Sequence, residues 1–133
     1  MLDAQFAVCY DINREGVMGE FEEINFKRGF LQLVILALVK RKDMYGLQII
    51  EEAAERSQGL FQTQIGSLYP VLYKLLSNNF INSYTVPSDR YKDRVYYHIT
   101  EKGLAYLEFL TKQFHNVMYG ITLILEEGQA EYE

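Results

Sequence analysis

The sequence predicts a mainly α-helical protein with one small β-hairpin and a long C-terminal helix. Three observations carry this. Apolar residues recur at helical spacing in segments between Phe30 and Leu76. β-Branched and aromatic residues flank a Pro87-Ser88-Asp89 break. A heptad seam runs from Leu107 to Ile124.

The first helical segment, Phe30 to Val39 (FLQLVILALV), is apolar on every side except Gln32, with Lys27 and Arg28 before it and Lys40 to Lys42 after it. Lacking Gly and Pro, it suits a helix buried all round, although periodicity alone leaves a buried strand open. Asp43 is placed to cap a second helix, in which Leu47, Ile50 and Ala53/Ala54 form an apolar stripe, Glu51, Glu52 and Glu55 face water, and Gly59 supplies the stop. A third helix starts at Gly66 or Ser67, because Pro70 is tolerated in a first turn and disrupts an interior one. Leu68, Leu72, Leu75 and Leu76 are its core stripe, Ser67, Tyr69, Tyr73 and Lys74 can face outward, and Asn78 and Asn79 end it.

Ile81 to Val86 and Val95 to Ile99 read as the hairpin strands around a long polar tip, with period two putting Val95, Tyr97 and Ile99 on one face and Arg94, Tyr96 and His98 on the other. Thr100 caps the last helix, and Glu101 complements its positive end. Along that helix Leu107, Leu110, Phe114, Val117, Ile121 and Ile124 step by three or four residues, a seam that wants a partner helix. Its short length and Gly120, which costs about 1 kcal/mol relative to Ala, favour docking on a neighbouring protomer over a long coiled coil. The first helix, through Phe30 and Leu33, also has a face to spare, and mutual burial in a two-fold dimer satisfies both.

At 133 residues the chain suits one domain plus appendages. We divide it into an N-terminal extension over 1–25, flexible or non-native, a domain over 26–100, a dimerisation helix over 101–127 and a tail over 128–133. Hydrophobic residues make up 49% and charged residues 23%, a globular balance with no apolar run long enough for a membrane span. The single cysteine, Cys9, forms no internal disulfide and reads as a small apolar residue, and the expected compartment is a reducing cytoplasm. The net charge of −5 conceals an asymmetry: residues 26–100 carry ten basic against six acidic side chains, while both flanks are acidic. A basic middle permits a polyanionic partner.

Three helices followed by a hairpin is the order of a winged helix-turn-helix, whose third helix enters the DNA major groove while the hairpin, the wing, lies along adjacent backbone or minor groove. Gly66-Ser67-Leu68-Tyr69-Pro70-Val71-Leu72-Tyr73-Lys74-Leu75 resembles the G-[ST]-L-Y-P-x-L-x-x-L signature of the PadR family. The likeness extends to Arg28-Gly29-Phe30-Leu31-Gln32-Leu33, to Tyr45-Gly46-Leu47-Gln48-Ile49-Ile50, and to Tyr96-Tyr97-His98-Ile99-Thr100-Glu101-Lys102-Gly103, which is similar to the family's Y-Y-x-[LI]-T-x-x-G. The final helix resembles the dimerising C-terminal helix of the short members.

The resemblance implies a homodimer that represses a promoter by binding a palindromic operator in double-stranded DNA, with many members released by a small molecule. DNA contacts would then fall on Gln64, Ser67, Tyr69, Tyr73 and Lys74 of the recognition helix and on Arg90, Lys92 and Arg94 of the wing. Tyr69 has two readings, a DNA contact or a half-buried ring with its hydroxyl on backbone. A small aromatic or hydrophobic effector would lie between the C-terminal helix and the domain, against Phe109, Phe114, Met118 and Tyr119, although the favoured reading of these residues is dimer core. The wing departs from the family pattern: residues 87–94 (PSDRYKDR) hold no Gly and include Asp89 and Asp93. Tyr73 and Leu76 stand where the family commonly has Arg and Glu, so base preference does not transfer. The absence of Trp removes the aromatic sandwich with which some short members hold flat drugs.

Other classes find less support. There is no phosphate loop, no CxxC and no recognisable nucleophile with its base, so no enzyme and no cofactor are expected. His98 and His115 lack metal-ligand spacing and read as structural, so no metal is expected. A winged helix that binds protein instead of DNA is the main rival, since it suits the overall acidity and a tyrosine-rich surface. In the extension, Ala4 to Ile12 could form a strand, and the codons of Arg14 to Val17 can spell a ribosome-binding sequence ahead of Met18, an alternative start.

Overall fold

The structure, a computed structural model, describes residues 27–90 and 92–130. The readings placed on residues 1–25, the strand, Cys9 and the Met18 start among them, lie outside the described residues, as do residues 131–133 of the tail.

Helix α1 spans Lys27–Arg41 and is the central element, touching every other helix and strand β3. Leu31, Ile35, Leu36, Leu38 and Val39 are buried, while Leu33 and Val34 are partly covered, as expected for an almost wholly apolar helix. Strand β1, Met44–Tyr45, follows directly and pairs antiparallel with β3, Arg94–Ile99.

This short strand overturns two expectations for helix α2, Gly46–Arg56. The helix is capped by Tyr45 in an extended conformation with no side-chain cap bond, because β1 separates Asp43 from the first helical residue. Met44, drawn fully into the core by its pairing opposite Tyr97, also sets the helical phase: Gly46, Ile49 and Ala53 are buried, and Leu47 is 49% exposed. The stop falls where the sequence put it, with Gly59 at φ +82°, a left-handed conformation that favours glycine, and its N–H donating to the Ala54 carbonyl at 2.7 Å.

Helix α3 spans Ile65–Ser77, so Pro70 stands inside it and supplies no N–H for the Gly66 carbonyl one turn earlier. The exposed ring lies on the solvent side, and Leu68, Leu72 and Leu75 bury the opposite stripe as predicted, while Leu76, expected with them, is only partly buried. Asn79 at φ 61° then turns the chain out of the helix, and the Phe80 N–H donates to the Leu75 carbonyl at 3.0 Å.

Strand β2, Ile81–Val86, pairs with β3 from Ile81 opposite Ile99 to Val86 opposite Arg94, giving a three-stranded sheet of order β1-β3-β2. Ile81, Tyr97 and Ile99 are buried, but Val95 is 41% exposed, because the far end of the hairpin extends past the helices. Helix α4 runs Glu101–Ala130. The Thr100 hydroxyl caps it, accepting from the Gly103 N–H at 3.0 Å and donating to the Asn79 carbonyl at 2.7 Å. A Cβ at residue 103 would overlap the Phe80 carbonyl oxygen, which explains why the cap is followed three residues later by glycine. Tyr106 stacks on Phe80 with centroids 4.1 Å apart and donates its hydroxyl to Gln32 Oε1, tying α4 to the body. These four helices and three strands form a winged helix with a long C-terminal helix.

Candidate nucleic-acid interface

Burying Leu68, Leu72 and Leu75 turns the opposite side of α3 to solvent. Gln64 at the N-cap, Ser67, Tyr73 and Lys74 are all exposed, Tyr73 to 73%. Gln64 caps with its backbone carbonyl, which accepts from the N–H groups of Ser67 and Leu68 at 3.0 Å, and its side chain makes no cap bond.

Tyr69 is half exposed and packs against the body. It is 46% exposed, yet its hydroxyl lies where a Cβ at Gly46 would come within 2.6 Å, so it lies against the start of α2. It also borders Tyr97, whose phenol is pushed up by burial first and by the neighbouring Tyr69 second. Gly46→Ala is expected to cost about 1–3 kcal/mol through this overpacking, read as a lower urea midpoint. Adding Tyr69→Leu should return part of the loss; strictly additive costs would contradict the contact.

In the wing, Arg90, Lys92 and Arg94 are exposed. The Arg94 guanidinium sits over the Tyr45 ring, 4.5 Å from its centroid, which anchors the base of the wing's positive charge by a cation–π contact. One acidic residue has a local use: Asp93 accepts from the Ser88 N–H at 3.2 Å, bridging the two sides of the wing tip.

A cluster that the sequence reading missed lies on the sheet's outer face. The Asp43 carboxylate accepts the Tyr84 hydroxyl at 2.6 Å on one oxygen, and its other oxygen lies 2.7 Å from Nδ1 of His98. The Tyr84 bond holds the Asp43 carboxyl below its ordinary range; partial burial opposes this, and His98 adds to it. The same bond pushes the Tyr84 phenol up. Separations of 41 and 55 residues hide such a cluster from any local pattern. The only available signal was the period-two alternation that puts Tyr84, Tyr96 and His98 on one face.

The residues predicted to serve dimerisation divide. Leu107, at 7% exposed, belongs to the protomer's own core because the turn starting at Gly103 packs against the body, so the outward seam begins later. Phe30 packs edge-on against Phe114 at 5.4 Å, and Leu33 and Leu110 lie partly buried against the core. Val117 at 51%, Ile121 at 44% and Ile124 at 69% are exposed, as is Leu125 at 76%. Between α1 and α4 lies an open groove of about 170 Å³ lined by Phe30, Leu33, Leu110, Phe114, Val117 and Met118, among others. Two of the four proposed effector residues, Phe114 and Met118, line it. Phe109 and Tyr119, exposed to 58% and 67%, do not, since each sits about 100° around the helix from a lining neighbour. Among the described residues no cluster of His, Cys, Asp and Glu could hold a metal ion, and no helix is long and apolar enough to cross a membrane.

Comparison with known proteins gives this arrangement a lineage. The family described as "Transcriptional regulator PadR-like family" matches residues 35–109. The chain belongs to the PadR-like family. A protein of Lysinibacillus sphaericus described only as "Uncharacterized protein X" is 36% identical over 99 residues, covering 74% of this chain and 91% of its own. A solved transcriptional regulator from Clostridium thermocellum superposes with TM-score 0.69 at 25% identity, over 76% of this chain and 95% of that one. A solved PadR family transcriptional regulator from Eggerthella lenta gives TM-score 0.68 at 25% identity, over 90% and 97%. As a PadR-like chain, the protein is a DNA-binding transcriptional regulator of the winged-helix type.

Proposed function

We propose that this PadR-like chain is a repressor that binds a palindromic operator as a homodimer. In each protomer α3 enters the major groove and the wing follows the adjacent backbone. The observation that carries the reading is the segregation on α3, with Leu68, Leu72 and Leu75 buried and Gln64, Ser67, Tyr73 and Lys74 exposed, next in sequence to a hairpin bearing Arg90, Lys92 and Arg94. Lys74 and the wing cations suit phosphate; Gln64, Ser67 and Tyr73 present the hydrogen-bonding groups that base edges or phosphates accept. The acidic surplus elsewhere keeps the non-contacting surface off the polyanion.

Dimerisation supplies the two-fold axis. Val117, Ile121 and Ile124 are too apolar to remain in water as a continuous stripe, and a second copy of the same helix with the Phe30 and Leu33 face of α1 buries them. The α1–α4 groove has the size and lining for a small aromatic or hydrophobic effector, with Phe114 and Met118 as its adaptable wall.

The test is to sequence the DNA that co-purifies with the intact protein. Enrichment of an inverted repeat whose half-sites lie about 34 Å apart, one helical turn, or a multiple of it, is expected. Its insertion in front of a reporter should lower expression when the protein is present. Recovery of random DNA would contradict the operator, and raised expression would contradict repression.

A further inference from the structure

We infer that Asp43 is a positioning residue for the wing: by bonding Tyr84 on β2 and His98 on β3 from the segment before β1, it fixes the angle at which the hairpin presents Arg94. The inference rests on the DNA-binding reading above. The base of the hairpin is held in the body by Ile81, Tyr97 and Ile99 in the core, and β1 adds only Met44 and Tyr45 to the sheet. Beyond that base Asn82 to Val86 and Lys92 to Val95 are exposed, and the two strands pair as far as Val86 opposite Arg94. The exposed part of the hairpin is tied back to the body by the Asp43 carboxylate, with one oxygen 2.6 Å from the Tyr84 hydroxyl and the other 2.7 Å from His98 Nδ1.

The effect passes along the outer face of the sheet. The Tyr84 ring stacks on Tyr96 with centroids 5.7 Å apart, Tyr96 meets Tyr45 edge-on at 5.4 Å, and Arg94 rests on Tyr45 at 4.5 Å. Each contact is to an exposed or half-exposed ring, so removing the carboxylate buries no unpaired group and leaves the core intact. What is lost is direction. A wing free to swing brings Arg94 to a phosphate in only a fraction of its orientations.

The test is a double-mutant cycle on the full chain, read by fluorescence anisotropy on a mixed-sequence duplex of about 30 base pairs over a salt series. Asp43→Ala is expected to lower affinity at least roughly tenfold and to flatten the dependence of log affinity on log salt by about 1.8, the loss of one phosphate contact from each wing of the dimer. Arg94→Ala should do the same, and the double variant should bind no worse than either single one. Asp43→Asn, which still accepts from Tyr84, should recover part of the loss. Should Asp43→Ala fail to fold, Tyr84→Phe, which removes one hydroxyl and keeps the stack, carries the same cycle. Additive losses, or an Asp43→Ala chain that binds like wild type, overturn the positioning role and leave the DNA reading standing. A wild-type chain that ignores the duplex overturns both.

Discussion

Reversing Arg90, Lys92 and Arg94 to Glu is expected to abolish operator binding while the dimer and the folded core survive. All three side chains are exposed and none belongs to the buried core, so stability should change by no more than about 0.5 kcal/mol per site. The exception is the Arg94 contact with Tyr45, whose loss costs up to about 1 kcal/mol at an exposed site. The binding consequence is larger because each reversal replaces attraction to a phosphate by repulsion. Every neutralised phosphate lost also lowers the salt slope by about 0.9. The wing closure itself persists, since Asp93 accepts a backbone N–H from Ser88 and does not depend on the cations. A gel shift at fixed salt, with light scattering on the same preparation, reads both halves. Unchanged affinity would remove the wing from the interface, and a monomeric variant would mean that these residues serve assembly.

Replacing Ile121 and Ile124 together by Asp is expected to give a monomer at micromolar concentration. The two residues are 44% and 69% exposed in the protomer, so the substitution leaves the core untouched and acts on association alone. In a dimer it would bring two carboxylates per protomer into an apolar interface, at a cost of several kcal/mol per ion. Operator affinity should fall by about 10²–10⁴, because two half-sites are no longer held in one molecule. Leu107 provides the contrast: at 7% exposed, its truncation to Ala should cost about 2–5 kcal/mol of protomer stability. Light scattering and thermal melting on the three proteins separate assembly from folding. A wild-type chain that is itself monomeric at micromolar concentration refutes the seam.

These two sites were legible in the sequence to different degrees, and the difference follows range of interaction. The α3 stripe, the stop at Gly59, the Thr100 cap and the hairpin strands are local: a periodicity or a single conformational demand specifies each. The phase of α2 was not local. It is set by Met44 entering the core on a strand of only two residues, which buries Ile49 and leaves Leu47 in water. The same strand diverts Asp43 from the helix cap that composition suggested to the outer face of the sheet. On α4 the heptad count from Leu107 to Ile124 is regular, but regularity does not say where the protomer's own body ends. Packing of Gly103 against Phe80 carries Leu107 inside, and only the later residues remain exposed. The groove likewise follows one helical face, keeping Phe114 and Met118 and excluding Phe109 and Tyr119.

The measurement that bears most directly on the whole account is the salt dependence of binding between the intact wild-type protein and the duplex recovered with it. A dimer touching six or more phosphates through two recognition helices and two wings should lose roughly 10³-fold or more in affinity between about 50 and 200 mM salt. Light scattering of the complex should fit two protomers per duplex. A protein that leaves the duplex free at low salt, or whose affinity is flat across the range, would contradict DNA binding and assign the tyrosine-rich surface to a protein partner.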